Sequence, residues 1–258
     1  MLRPRIIPCL LVKDKGLVKT VCFRESKYVG DPINAVRIFN EKEADELFVL
    51  DIDATAKGVG PDMKMIQFWA AECRMPLCYG GGINTVDQAK AIIGLGVEKV
   101  ALSAAALARS ELVAEIAEDV GSQSVVVVLD VKQSLTGRYE IWTHNATRNT
   151  GFCPIEYSRK LQALGVGEIV INSVDLDGVM RGYDFELVSR VRKAITVPMT
   201  VLGGAGSLKD IGSLIGRFGI IGAAAGSLFV FKGVYKAVLI NYPNPAAKDQ
   251  LIRAEVSA

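Results

Sequence analysis

Three aspartates close or follow apolar runs of β-forming residues. Asp51 ends Phe48-Val49-Leu50, Asp130 ends the run Val125 to Leu129, and Asp177 lies just past Ile169 to Ile171. A carboxyl at the end of such a run, with apolar residues behind it, loses hydration, which raises its pKa and suits it to move protons near neutral pH. Asp130, followed by Val131-Lys132, is the first choice for a general acid/base group, and Asp51 and Asp177 also qualify. A strand-end aspartate can equally serve as an acceptor for the N–H groups of the next loop. A second chemistry is suggested by Gly80-Gly81-Gly82 and Gly203-Gly204-Ala205-Gly206, which precede helix starts marked by Asn84 and Ser207. Backbone N–H groups there can converge on an anion, so the loops suit phosphate without a lysine, although glycines also make tight turns for their own sake. Asp14-Lys15-Gly16 reads as a mobile loop from which Lys19 reaches a substrate phosphate, or as a solvated turn. His144 is the single histidine and has no Ser, Cys or Asp at triad spacing, so a surface or loop-anchoring role is expected. The five cysteines (Cys9, Cys22, Cys73, Cys78 and Cys153) form no CxxC pair; reduced thiols and no metal site are expected.

These groups need a scaffold that brings strand ends together. Eight short apolar runs alternate with helical stretches: residues 5–11, 46–51, 76–79, 97–102, 124–131, 168–172, 197–202 and 219–223. Their nearly continuous apolar character predicts parallel strands covered on both faces, in a barrel or in an open doubly wound sheet. A repeat decides for the barrel. The segment 75–87 resembles 197–210 at a lag of about 120 residues, and 49–53 resembles 171–175. We therefore expect a single (β/α)₈ TIM barrel in two halves, about 1–122 and 123–241, with a terminal helix over 242–258. The alternating stretch Arg138 to Thr143 predicts a small hairpin after strand five. A barrel collects its functional residues at the C-terminal rim and commonly builds a phosphate site after strands seven and eight, so Gly203, Gly204, Gly226 and Ser227 would form one cup.

The 258 residues, 50% hydrophobic and 22% charged, suit one such core. A net charge of +2 from 30 basic and 28 acidic residues argues against nucleic acid as partner. No apolar run reaches the length of a membrane span, and the start Met1-Leu2-Arg3-Pro4-Arg5 does not read as a signal peptide, so a cytoplasmic protein without membrane partners is expected.

Along nearly its whole length, from Arg5-Ile6-Ile7-Pro8-Cys9 through Gly30-Asp31-Pro32, Gly80-Gly81-Gly82-Ile83, Asp177-Gly178 and Gly203-Gly204-Ala205-Gly206, the chain resembles the cyclase subunit of imidazole glycerol phosphate synthase. The resemblance implies a lyase of histidine biosynthesis that takes ammonia from a separate glutaminase subunit docked at the N-terminal barrel face and joins it to a bisphosphorylated ribose-type substrate, with no cofactor. It implies that Arg5, Glu46, Lys99 and Glu168 gate an ammonia channel, although the same four residues would also make an ordinary salt-bridge plug. It assigns Asp130 to acid/base catalysis, and Lys19, Gly81, Gly82, Ser103, Asp177, Gly178, Gly203, Gly204, Gly226 and Ser227 to substrate and phosphate binding. Two departures stand out: Leu11 occupies the place of a second catalytic aspartate, and Ser103-Ala104 replaces an Asn followed by a hydroxyl residue. They leave two further readings open. One is a divergent relative that supplies ammonia for acetamidino modification of a surface-polysaccharide sugar, as in lipopolysaccharide biosynthesis, alongside a further sugar amidotransferase; the other is a non-catalytic ammonia conduit. A sibling sugar-phosphate isomerase ranks last, since it needs no gate and also wants the missing acid.

Overall fold

The computed structural model describes residues 3–256; the expectations for residues 1–2 and 257–258 lie outside the described residues. Eight parallel strands form a closed barrel: β1 (Arg5–Lys13), β2 (Leu47–Asp51), β3 (Leu77–Gly80), β4 (Lys99–Leu102), β5 (Val125–Gln133), β6 (Glu168–Ser173), β7 (Met199–Leu202) and β8 (Gly222–Ala225). Each pairs with the next, and β8 returns to β1 with Ile6 opposite Ala223 and Ile7 opposite Ala224. That closure excludes the open doubly wound sheet and leaves the barrel strands no free edge.

The outer ring consists of α1 (Pro32–Glu41), α2 (Met63–Glu72), α3 (Val86–Gly94), α4 (Glu111–Val120), α5 (Pro154–Ala163), α6 (Phe185–Arg192), α7 (Leu208–Phe218) and α8 (Pro245–Val256). Short polar side chains start many of them: Asp31, Asp62, Thr85 and Asp184 accept N–H groups from their own first turns, and Ser207 with Asp210 closes a reciprocal capping box. Strand residues of one parity pack outward against these helices, as Val125, Val127 and Leu129 do; those of the other parity, such as Val126, Val128, Phe48 and Ala224, fill the barrel.

Strand bounds shift by one to three residues from the sequence reading, and one loop proves to be a hairpin. β8 begins at Gly222 instead of Gly219, because Gly219 (φ +68°) turns the chain out of α7 and Ile220 is exposed. β7 begins after Pro198, which has no N–H to give to a ladder. The mobile loop expected after β1 is instead ordered structure: residues Gly16–Val21 pair antiparallel with β1, Leu11 opposite Val18, and then with Arg24–Gly30. The consecutive apolar residues Leu17 and Val18 are buried there, and Cys22 N–H donates to Asp177 O (2.8 Å), tying the hairpin across the C-terminal mouth. The predicted hairpin after strand five is present, with Tyr139–Thr143 antiparallel to the extended end of β5.

Candidate active site

At the N-terminal end of the barrel, four side chains from the starts of β1, β2, β4 and β6 close the interior. Arg5 of β1 hydrogen-bonds Glu46, which stands just before β2, and reaches Glu168 of β6 at 2.7 Å; Lys99 of β4 reaches Glu46 at 2.7 Å and Glu168 at 2.9 Å. Thr200 adds its hydroxyl to Glu168. Glu46 and Glu168 are buried, so each would be costly alone, yet every carboxylate here faces two cations. Burial pushes the Glu168 carboxyl up, but the hydrogen bond and charge of Arg5, together with Lys99, draw it down to about 2. The four residues singled out by the sequence thus form one alternating ring.

Above the ring the barrel is filled by apolar side chains and thiols, including Ile7, Phe48, Cys78, Val126, Val170 and Ala224. Burial lifts the Cys9 thiol to about 12, which leaves it protonated and weakly nucleophilic. Beyond this plug a cavity of about 490 Å³ opens at the C-terminal face. Its wall brings together Lys19, Gly81, Gly82, Ser103, Asp130, Asp177, Gly226 and Ser227, eight of the residues picked from the sequence. Gly178, Gly203 and Gly204 stand behind that wall, pressed against backbone: a Cβ on them would lie 2.2 Å from Thr20 O, 2.5 Å from Ser173 O and 2.0 Å from Gly182 O. Their backbone freedom is used for close packing, each with positive φ.

Asp130 projects from the end of β5 with only a partial opening to the cavity. Burial raises its carboxyl to about 7, although the amide of Asn172 donates to it at 2.9 Å and pulls the other way. Such a group holds and releases a proton at neutral pH. Leu11, on β1 across the barrel from β5, also stands on the cavity wall and carries no proton. Asp51 follows the plainer reading: its Oδ1 accepts the N–H groups of Asp53 (3.0 Å) and Ala54 (3.1 Å) and anchors the loop after β2. Asp177 accepts the Thr20 hydroxyl at 2.9 Å. Lys19 lies buried over Gly226, its ammonium donating to Cys9 O at 2.7 Å; burial depresses its pKa, against the charge of Asp177. His144 sits at the cavity rim, its Nδ1 paired with the Thr143 hydroxyl at 2.7 Å.

Residues 5–236 match the family described as histidine biosynthesis protein. The chain belongs to that family. Relatives agree over almost full length. A Vibrio vulnificus protein is 56% identical over 98% of this chain and 97% of its own, and a Leptospira interrogans protein is 55% identical over 97% and 99%. A Pseudomonas aeruginosa protein is 51% identical over 95% and 97%. All three are named as imidazole glycerol phosphate synthase subunits.

Within this family barrel, sequence reasoning passed over Asn172 and Thr20. Asn172 was detectable in principle, because it lies four residues beyond Glu168 on the same strand and so shares its inward face. Thr20 was not, since its partner Asp177 is 157 residues away.

Proposed function

We propose that this chain is the cyclase-type subunit of a glutamine amidotransferase complex of the imidazole glycerol phosphate synthase kind. It would receive ammonia at the ringed N-terminal face and use it on a phosphorylated ribose-type substrate at the other. The observation that carries the reading is the alignment of two features on one axis: the Arg5, Glu46, Lys99 and Glu168 ring at one end, and the Asp130 cavity at the other. An apolar interior between them suits a neutral molecule such as ammonia and excludes ammonium, which would lose its hydration without a counter-charge. A ring held by side chains alone can open by rotamer change without unfolding the strands, and the glutaminase would dock over it.

At the C-terminal face, Lys19, Gly226 and Ser227 line one side of the cavity and Gly81, Gly82 and Ser103 the opposite half, so a substrate with phosphate at each end would span Asp130. Asp130 gives up or takes the proton at the reacting centre, and its neutral-range titration fits it for both directions. Leu11 on the same wall favours a second reading, in which the nitrogen acceptor differs from that of the ordinary cyclase and the ammonia serves a sugar modification such as acetamidino formation.

The test is turnover of a bisphosphorylated ribosyl intermediate with ammonium salt, and with glutamine after co-purification with the glutaminase. Nitrogen incorporation that falls about 10²–10⁴-fold in Asp130→Asn supports the cyclase role. Full activity in Asp130→Asn would sink it. Incorporation into a different sugar, with none into the bisphosphate, selects the second reading.

A further inference from the structure

His144 stands on a strained turn. It follows the strand Tyr139–Thr143, and with Asn145 and Ala146 it forms three consecutive residues at positive φ (53°, 53° and 57°). Left-handed backbone is costly for residues that carry a Cβ and is met mostly at single positions. Asp14 with Lys15 and Cys22 with Phe23 adopt it in pairs, as two-residue hairpin turns do; a third member, here an alanine, is more than such a turn asks. Contacts hold the strain in place. Thr147 bonds back to Thr143 O and His144 O, and Asn145 Nδ2 donates to Ile52 O at 3.0 Å, while Ile52 N–H donates to Val12 O, beside Leu11. Backbone strain that its surroundings over-determine in this way clusters at functional sites.

The turn brings the imidazole to the cavity wall. Its Nδ1 is held by the Thr143 hydroxyl at 2.7 Å, which sets the ring. Its Nε2 makes no hydrogen bond among the described residues and is not enclosed, unlike the orphaned Oδ1 of Asn172, which is buried without a partner. Trp142 lies opposite Asp130 in the hairpin after β5. His144, two residues further on, is therefore diagonal to Asp130, with about 7–8 Å between the backbones, room for the reacting part of a small substrate. The charged groups on the elements around the ring are Asp130 and Lys132 of β5, Arg148 beyond the turn, and Asp51 and Asp53 after β2. Lys132 stacks on Trp142, Asp51 accepts its two loop N–H groups, Asp53 pairs with Lys57 and Arg148 is exposed. Asp130 is left as the neighbour with a proton to exchange. Burial, then the charge of Arg148, lowers the pKa of His144 below the ordinary value, so the ring is neutral at pH 7 and can accept a proton.

We propose that His144 is a catalytic residue of this cavity, the second proton carrier beside Asp130, in the role that Leu11 cannot fill. The inference deepens the reading of an ammonia-fed barrel and rests on it. As the nitrogen lone pair forms the bond to the substrate carbon, the surplus N–H proton passes to Nε2. A hydroxyl leaves that carbon with the bonding pair and takes the Asp130 proton, departing as water. The imidazolium then loses one proton and the carboxylate regains one, so the pair ends as it began. His144 is the only histidine of the chain, so it gives a single imidazole signal in nuclear magnetic resonance. Ribose 5-phosphate is expected to shift that signal saturably. In the ammonium-salt assay His144→Asn should lower kcat about 10²–10⁴-fold with little change in KM, and the acid limb of the kcat–pH profile should vanish with the imidazole. Asparagine tolerates left-handed backbone, so this variant removes the proton carrier and keeps the turn. An imidazole indifferent to ribose 5-phosphate, or full turnover in His144→Asn, overturns the proposal. Turnover lost in Asp130→Asn but kept in His144→Asn leaves the cyclase reading standing and discards this one. A responsive imidazole in a protein that turns over no bisphosphate upholds the site and removes the cyclase reading instead. Should His144→Asn fail to fold, the response of the wild-type imidazole still decides.

Discussion

Asp130 owes its chemistry to a mismatch between charge and surroundings. A carboxyl of ordinary pKa near 4 is held in the folded chain at about 7, chiefly by burial. The folded state therefore keeps a proton that the unfolded state has released, and stability falls as pH rises from about 4 to about 7. Above 7 the penalty is complete; below the unfolded value it vanishes. Asp130→Asn should be more stable than the wild type at pH 8 by a wider margin than at pH 5, measured by urea unfolding at both. An equal margin would mean that the carboxyl is not held high. Leu11→Asp tests the partner position: a second rim carboxyl should raise turnover of the bisphosphorylated ribosyl intermediate if the usual two-acid chemistry is latent here, and leave it unchanged if the cavity serves another acceptor.

Elements carry these residues to their places through local rules and through contacts that local rules do not contain. α7 is the clearer local case. Ser207 accepts the Asp210 N–H while Asp210 accepts the Ser207 N–H, so two otherwise unpaired donors are satisfied where the glycine-rich loop meets the helix. Ser207→Ala should cost about 1 kcal/mol in thermal or urea unfolding. The hairpin Gly16–Val21 with Arg24–Gly30 is the opposite case. Its turn residues Asp14, Lys15 and Gly16 suggested a loop, but the strand that follows buries Leu17 and Val18 and carries Lys19 into the cavity. No alternation in Leu17 to Val21 marks a strand; its burial required the rim of β1 to be there.

Across the whole molecule, the ring at the N-terminal end joins β1, β4 and β6 to the residue before β2, with Thr200 of β7 against it. Removing one cation leaves buried carboxylates short of charge, so Lys99→Met should destabilise the chain by about 3–5 kcal/mol in urea unfolding. If the ring also gates ammonia, the same variant should lower glutamine-dependent turnover more than turnover with added ammonium. Equal losses would assign the ring to stability alone. Glu168, held at about 2, contributes stability that is present above its ordinary pKa and disappears as pH falls toward 2, while Glu46, pushed up by burial and by the charge of Glu168, contributes in the opposite sense.

The eight apolar runs, their alternation with helices and the internal repeat pointed to a barrel, because periodicity and burial are imprinted residue by residue. Asp130 and the glycine loops could be chosen for the same reason, since each lies at a strand end and strand ends meet at the faces of a barrel; the four ring charges came from the family resemblance. What depended on three dimensions was pairing across long separations. Asp51 and Asp130 look alike in the chain, yet one is spent on two loop N–H groups and the other is left to titrate near 7. That Gly203 and Gly204, read as phosphate ligands, also pack closely against the backbone of Ser173 and Gly182 could not be seen in the chain. Asn172 read as the last residue of a strand, and its orphaned oxygen emerged only when β5, β6 and β7 closed around it. Hydrogen-bond satisfaction and desolvation belong to the assembled surroundings of a group, and no local pattern records them.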